Sequence, residues 1–260
     1  MTPPAWNDWS PWFAARLGEL RTSILFSTRL PLPRMAPIGG GALAQATWAL
    51  PLAGVVVGVI AAVVYALSHR AGLFAWPAAA LAVAATLAVT GCLHEDGLAD
   101  TADGFGGGEL CEQKLAIMRD SRIGTYGVCA LVLSILVRAG ALATLAEPGL
   151  VAGALIAAHG AARATLPVFM FLVPPARTDG LAYEAGRPPR EPAAAAAVLG
   201  ILILVFSLGF APALMAAVLL AIVVGGMARL SLSQIGGQTG DVLGALEQVS
   251  EIVILLVALR

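Results

Sequence analysis

Asp96, Asp100 and Asp103 stand at i, i+4 and i+7 in the run His94-Glu95-Asp96-Gly97-Leu98-Ala99-Asp100-Thr101-Ala102-Asp103-Gly104. On a helix, at about 100° per residue, the three fall within roughly a 60° arc of one face. Adjacent ionised carboxylates repel, and no lysine or arginine is interleaved to offset them. Hard divalent cations such as Mg²⁺ take oxygen ligands and bridge carboxylates to substrate phosphates. The spacing therefore points to a metal site for phosphoryl-group chemistry. Glu95 points about 100° off the arc and is the weaker ligand. Gly97, Gly104, Gly106, Gly107 and Gly108 are expected to let a bulky ligand approach the backbone. His94 is open between ligand, base and helix-end donor. The plain alternative is a polar loop whose acids balance Lys114, Arg119 and Arg122.

A second polar group follows at Asp120-Ser121-Arg122-Ile123-Gly124-Thr125-Tyr126-Gly127. Arg119 and Arg122 carry planar donors suited to phosphate oxygens, and Ser121 or Thr125 can cap the next helix. Asp120 is a further ligand or a proton acceptor; the competing reading is that these charges mark a membrane boundary. Near the C-terminus, Gly236-Gly237-Gln238-Thr239-Gly240-Asp241 opens an apolar helix. Glycines ahead of a helix N-terminus make an anion-accepting nest, and Asp241 there binds metal or caps the helix. Within apolar segments, His159 and Arg163 share a face at i, i+4, and Arg138 lies deeper. Intramembrane arginines are functional by default; Glu247 and Glu251 are the partners a purely structural role would use.

The elements that must hold these groups are apolar. The chain of 260 residues is 59% hydrophobic and 12% charged, with mean hydropathy +0.87. Soluble domains carry roughly twice that charged fraction, so a single membrane-embedded unit is expected. Spans of about 20 apolar residues are read near 42–67, 73–93, 125–146, 150–172, 193–210, 212–230 and 239–260. The fold expected is thus an all-α polytopic bundle of about seven transmembrane helices. An interfacial N-terminal arm over 1–34 carries Trp6, Trp9, Trp12 and Phe13. The connections 94–124, 174–192 and 231–241 hold the polar chemistry.

Charge then assigns the sides. Arg16, Arg21, Arg29, Arg34, Lys114, Arg119, Arg122, Arg177, Arg187, Arg190 and Arg229 fall on one face of the seven-span scheme, against Arg70 and Arg260. By the positive-inside rule that face is cytoplasmic. Net charge is -1, so no global basic field for nucleic acid exists. Cys92, Cys111 and Cys129 form no metal-ligand spacing and are expected to be small buried residues. No cleavable signal is evident in the first residues.

Taken together, these motifs resemble the cobalamin synthase family, adenosylcobinamide-GDP ribazoletransferase. The likeness rests on HEDGLADTADG at 94–104, LAIMRDSRIGTYG at 115–127, ARTDGLA at 176–182 and GQTGDVLGA at 237–245, with FSTRLP at 26–31. Order and spacing agree along nearly the whole chain; Glu95 departs from the family pattern, where that position is more often apolar. The resemblance implies transfer of a cobinamide phosphate from adenosylcobinamide-GDP to α-ribazole or its 5′-phosphate, with release of GMP and Mg²⁺ as cofactor. It implies a bacterial cytoplasmic membrane location with the active site on the cytoplasmic face. A homo-oligomer is compatible with it.

On that basis Asp96, Asp100 and Asp103 hold Mg²⁺. Asp241, His94 and Asp120 are the catalytic candidates. Arg119, Ser121, Arg122, Arg163, Arg177, Thr239 and Gly240 bind substrate. Two rivals have other signatures. A CDP-alcohol phosphatidyltransferase would share Asp100-Thr101-Ala102-Asp103-Gly104, but Phe105-Gly106-Gly107 follows where Ala-Arg is expected. An ion-coupled transporter would show internal repeats and acids near mid-bilayer.

Overall fold

The protein is described by a computed structural model covering residues 9–32 and 41–260. Every regular element in the described residues is helical. They are α1 (Trp9–Ser27), α2 (Ala42–Ala46), a 3-10 turn (Thr47–Ala49), α3 (Leu50–Arg70), α4 (Ala75–Thr90) and α5 (Leu93–Gly107). The order continues with α6 (Cys111–Ile117), α7 (Thr125–Leu145), α8 (Pro148–Leu172), α9 (Leu181–Ala185), α10 (Arg190–Leu208), α11 (Phe210–Ile235) and α12 (Gly240–Val257). Trp6 and Arg34 of the expected arm lie outside the described residues. The described part of that arm is α1, which docks through Ser23 Oγ on the Ala46 carbonyl (2.7 Å) and through Trp48 Nε1 on Glu19 (2.5 Å).

The structure bears out the all-helical membrane fold but does not confirm the count of seven spans. Five helical segments among the described residues are long and apolar enough to cross a membrane: Ala42–Arg70, α7, α8, α10 and α11. The span expected at 73–93 ends early, because α4 gives way to α5 across a 91° bend. Gly91 (φ 65°) and Cys92 (φ 58°) both sit in the left-handed region, and two such residues in succession break the helical path. The bent pair α4–α5 adds a sixth span only if it is taken as one broken span; α5 is polar along one side. The span expected at 239–260 fails for a different reason: α12 carries Asp241, Glu247 and Glu251 and is enclosed by its neighbours.

The centre of the bundle is α8, whose most apolar stretch is 78% buried, against 17% in α11. Small residues make this packing close, as is usual where helices meet without a hydrophobic driving force. A Cβ on Gly54 would lie 2.1 Å from the His159 carbonyl oxygen, and one on Gly58 2.7 Å from that of Leu155. Those contacts bring the α3 backbone onto α8. The short connections α3–α4, α7–α8 and α10–α11 fall at one end of the bundle, where Phe74, Phe206 and Phe210 are strongly exposed. The long connections fall at the other, with the polar motifs. The three cysteines are all exposed, contrary to the buried placement expected.

Candidate active site

The acidic run forms α5, and its face is shaped by three neighbouring helices. Gly97 crosses α12 at Gly244, where a Cβ on Gly97 would lie 2.7 Å from the Asp241 carbonyl oxygen. This crossing carries Asp241 to the side of Asp96 and Asp100. The other glycines do not clear space for a ligand, as the sequence suggested. Gly104 is covered by Met118, Gly106 by the Tyr126 ring, Gly107 faces Ile117 and Gly108 faces Lys114. Their missing side chains are taken up by packing of α6 and α7 on α5.

The three aspartates have separate surroundings. Asp96 is exposed and Asp100 half-buried. Asp103 is buried, and its oxygens accept the backbone N–H groups of Gly124 (2.7 Å) and Gly127 (2.9 Å). It caps the start of α7, the role expected of Ser121 or Thr125. The three acids therefore do not form one compact ligand set. Among the described residues, the trio with ligand atoms that close is His159, Glu247 and Glu251.

The charge remaining on the α5 face is offset only in part, by Arg177. Burial, then the carboxylates of Asp96, Asp241 and Asp103, push the Asp100 carboxyl up to about 7, with Arg177 opposing. Asp241 is also raised, chiefly by burial, although Arg177 and Thr239 act against this. Asp96, Asp100 and Asp241 offer oxygen donors only, and their oxygens do not converge as those of the buried trio do. That donor chemistry fits Mg²⁺, which keeps several waters and binds through one or two carboxylates plus substrate phosphate.

Arg177 reaches this group through a short backbone zipper. Ala176 N donates to the Gln238 carbonyl and Gln238 N to that of Pro174, both at 2.8 Å. Arg177 Nη2 then lies 3.4 Å from Asp241 Oδ2, while its buried Nη1 has no hydrogen-bond partner. Thr239 is the N-cap of α12: its hydroxyl accepts from Val242 N (3.3 Å) and donates to Asp241 Oδ2 (3.1 Å). Gly240 is the first residue of that helix.

Arg119 and Arg122 are already engaged at the surface. Arg119 pairs with Asp179 at 2.6 Å, and Arg122 with Asp120 at 2.6 Å. The Arg122 hydrogen bonds hold the Asp120 carboxyl down to about 2, which makes it a poor proton acceptor. Ser121 is exposed beside them. Asp179 was not singled out from the sequence, although it stands inside the quoted ARTDGLA motif and spans to a second motif.

Arg163 sits away from the aspartates, and His94, which borders a cavity shared with Asp96 and Asp241, turns its ring towards Arg163. Arg163 is 1% exposed and pairs with Glu247 at 2.6 Å. His94 Nδ1 lies 3.3 Å from Arg163 and 3.5 Å from Glu247. Arg138 bridges Glu95 (3.0 Å) and Glu251 (3.3 Å), and His159 lies 3.4 Å from Glu251. These groups join α5, α7, α8 and α12 in one buried ionic cluster. Because Arg138 and Arg163 already compensate Glu247 and Glu251, the closed trio there is a poor cation site. Arg163 is therefore unavailable to a phosphate.

Two cavities flank the α5 acids. One, of about 310 Å³, takes its polar lining from Asp96, Arg177 and Asp241 together with His94 and Thr47, and is otherwise apolar. The other, of about 490 Å³, is lined by Glu95, Asp96, Asp100, Arg119, Asp120 and Ser121 with apolar neighbours. Asp96 borders both.

The comparisons with known proteins agree with the pattern of motifs. The family model described as cobalamin-5-phosphate synthase matches residues 19–259. The chain belongs to the cobalamin-5-phosphate synthase family. The adenosylcobinamide-GDP ribazoletransferase of Bradyrhizobium diazoefficiens is 57% identical over 242 residues, covering 93% of each chain. That of Mesorhizobium japonicum is 53% identical over 242 residues, again 93% of each. The enzyme of the same name from Xanthobacter autotrophicus is 46% identical over 259 residues, covering 92% of this chain and 94% of its own. No solved structure matches. As a cobalamin-5-phosphate synthase family member, the chain is a transferase of cobalamin synthesis. Its match spans every helix that borders the α5 acids.

Proposed function

We propose that the chain transfers the cobinamide phosphate of adenosylcobinamide-GDP to α-ribazole or its 5′-phosphate, releasing GMP. A ribose hydroxyl oxygen of the acceptor bonds to the phosphorus next to the cobinamide, and the bridging P–O bond to GMP breaks. The hydroxyl proton passes to Asp241 and from there to water. The observation that carries this reading, beyond the family, is the placement of Asp96 between two cavities. A two-substrate displacement needs the attacking and leaving groups on opposite sides of one phosphorus.

Asp96 and Asp100, with Asp241 beside them, would hold Mg²⁺, which supplies charge neutralisation on the pyrophosphate when bound. The protein's own groups do the rest. Arg177 offers its unpartnered Nη1 to a phosphate oxygen. A guanidinium fork suits that geometry better than an ammonium. Burial raises the Asp241 carboxyl, which brings its basicity nearer to the task of a general base. Thr239 fixes the Asp241 rotamer through its hydroxyl. Arg119 and Arg122 lie at the outer rim, where exchanging Asp179 or Asp120 for a phosphate is the step that engages them. The active face is the cytoplasmic one of the inner membrane, where the nucleotide substrates are available.

The test is incubation of the protein in lipid with adenosylcobinamide-GDP and α-ribazole, with Mg²⁺ and with chelator. Metal-dependent release of GMP together with the joined corrinoid is expected. GMP release that needs no acceptor, or no release at all, would overturn the reading.

A further inference from the structure

We propose that the cavity beside Asp96 and Asp241 holds the aromatic base of the acceptor nucleoside, and that the guanylate leaves from the second cavity, which shares Asp96. The inference rests on the transferase reading above and adds which substrate each cavity takes. The first cavity is amphipathic. Phe26, Leu43, Leu50 and Met170 line its apolar part, and Asp96, Arg177 and Asp241, with His94 and Thr47, supply its polar groups. Its volume of about 310 Å³ lies at the small end of ligand sites. A corrin macrocycle does not fit it.

The choice is then between a guanine and the fused arene of a ribazole. Guanine carries donors and acceptors around most of its edge. Set against leucine and methionine, each would be left unpaired at about 1–3 kcal/mol. A benzimidazole-type base has two ring nitrogens, one of them bonded to the ribose, and otherwise presents carbon. The apolar part of the cavity favours it. Its ribose then lies at the polar end, where Asp241 can take a hydroxyl proton and Arg177 can meet a phosphate.

The second cavity is the more polar of the two, although Leu87, Met118, Ile123, Leu131 and Ile135 also line it. Glu95, Asp100, Arg119, Asp120 and Ser121 line it together with Asp96. The carboxylates and Ser121 can accept from the guanine N–H groups, and Arg119 can meet the guanylate phosphate. With Asp96 shared, a phosphorus placed beside it has the acceptor towards one cavity and the guanylate towards the other.

Ala185→Phe tests this by filling the apolar part from α9, away from the acids. The KM for α-ribazole is expected to rise about tenfold or more, equivalent to about 1.4 kcal/mol. The KM for adenosylcobinamide-GDP should stay within about twofold. Met170→Ala, which enlarges the same wall, serves as a second variant and should improve use of ribosides with bulkier arenes. Binding of α-ribazole alone, by equilibrium dialysis in lipid nanodiscs, gives a readout independent of turnover. A rise in the KM for adenosylcobinamide-GDP instead would place the guanine here and overturn the proposal. So would unchanged constants for both substrates in both variants. If the unmodified protein binds α-ribazole, and Ala185→Phe abolishes this, yet no GMP is ever released, the cavity assignment stands and the transferase reading fails.

Discussion

Asp103 Oδ2 accepts the Gly124 amide at 2.7 Å and its Oδ1 accepts the Gly127 amide at 2.9 Å, so one side chain of α5 caps α7. Helix N-termini leave amides without intrahelical partners, and a carboxylate there also meets the positive end of the helix dipole. The same residue had every sequence qualification for a metal ligand. Its removal should therefore act on the fold more than on the metal. Asp103→Ala is expected to lower stability by about 1–3 kcal/mol, the cost of stranding buried amides. The Mg²⁺ concentration for half-maximal GMP release in the folded fraction should stay unchanged. Thermal unfolding in detergent alongside a Mg²⁺ titration checks both halves; a large rise in the Mg²⁺ requirement would return Asp103 to the ligand set.

Asp100 should behave in the reverse way. Its carboxyl is raised from 3.8 to about 7 by burial, Asp96, Asp241 and Asp103. In metal-free protein the folded state thus binds a proton that the unfolded state has already lost between about pH 4 and pH 7. The stability this proton contributes is full below about pH 4 and is lost as pH rises through about 7. Above pH 7 the metal-free Asp100→Asn protein should melt higher than the unmodified protein, and below about pH 4 the advantage should vanish. Mg²⁺ should raise the melting temperature of the unmodified protein more at pH 8 than at pH 6, since metal and proton compete for the same oxygens. GMP release by Asp100→Asn should fall on the order of 100-fold or more. A variant that keeps full Mg²⁺-dependent activity would remove Asp100 from the site.

Much of this was legible in residue spacing. The i, i+4, i+7 acids predicted a helix with one acidic face, and α5 is that helix. Pairing of Arg138 and Arg163 with Glu247 and Glu251 was foreseen as the structural option, and the distances favour it. The 91° bend was not foreseen, because Cys92 has no sequence signal for a positive φ, which costs a non-glycine residue about 1–2 kcal/mol. Nor was the Asp103 cap, since a side chain from another helix leaves no trace in the sequence next to the helix it caps. The glycines of α5 were misread for a related reason: absent side chains suit a neighbouring helix as well as a ligand. Asp179 and the apolar cavity arise only from tertiary proximity.

The Arg163–Glu247 pair, at 2.6 Å and fully buried, predicts a non-additive pair of substitutions. Arg163→Met alone leaves Glu247 as a buried charge beside His94, Gln248, His159 and the like-charged Glu251, and should cost about 3–5 kcal/mol. Glu247→Met alone strands Arg163 at a similar cost. Replacing both with methionine removes both desolvated charges and should restore most of the stability. Monodispersity and thermal unfolding of the three proteins decide it. If the double variant is as unstable as the sum of the singles, the pair interacts with more of the cluster than its geometry indicates.

The crossing of Gly97 and Gly244 gives the last prediction, because it couples packing to chemistry. A methyl group on Gly97 would meet the Asp241 carbonyl at 2.7 Å and the Gly244 Cα at 3.1 Å, so α12 must move for it to fit. Gly97→Ala is expected to cost about 1–3 kcal/mol of stability through overpacking. The shift carries Asp241 with it, away from Asp96 and from Arg177. Misplacement of a reacting group by about 1 Å costs on the order of 100-fold in rate. The turnover number should therefore fall far more than the loss of folded protein accounts for. The α-ribazole KM should change less than the turnover number, since most of the apolar wall belongs to α1, α2, α3 and α8. Gly244→Ala places its methyl 3.0 Å from the His94 carbonyl on the other side of the same crossing and should reproduce the pattern. Normal turnover in either variant, measured per folded molecule, would show that Asp241 keeps its place without the close approach of α5 and α12.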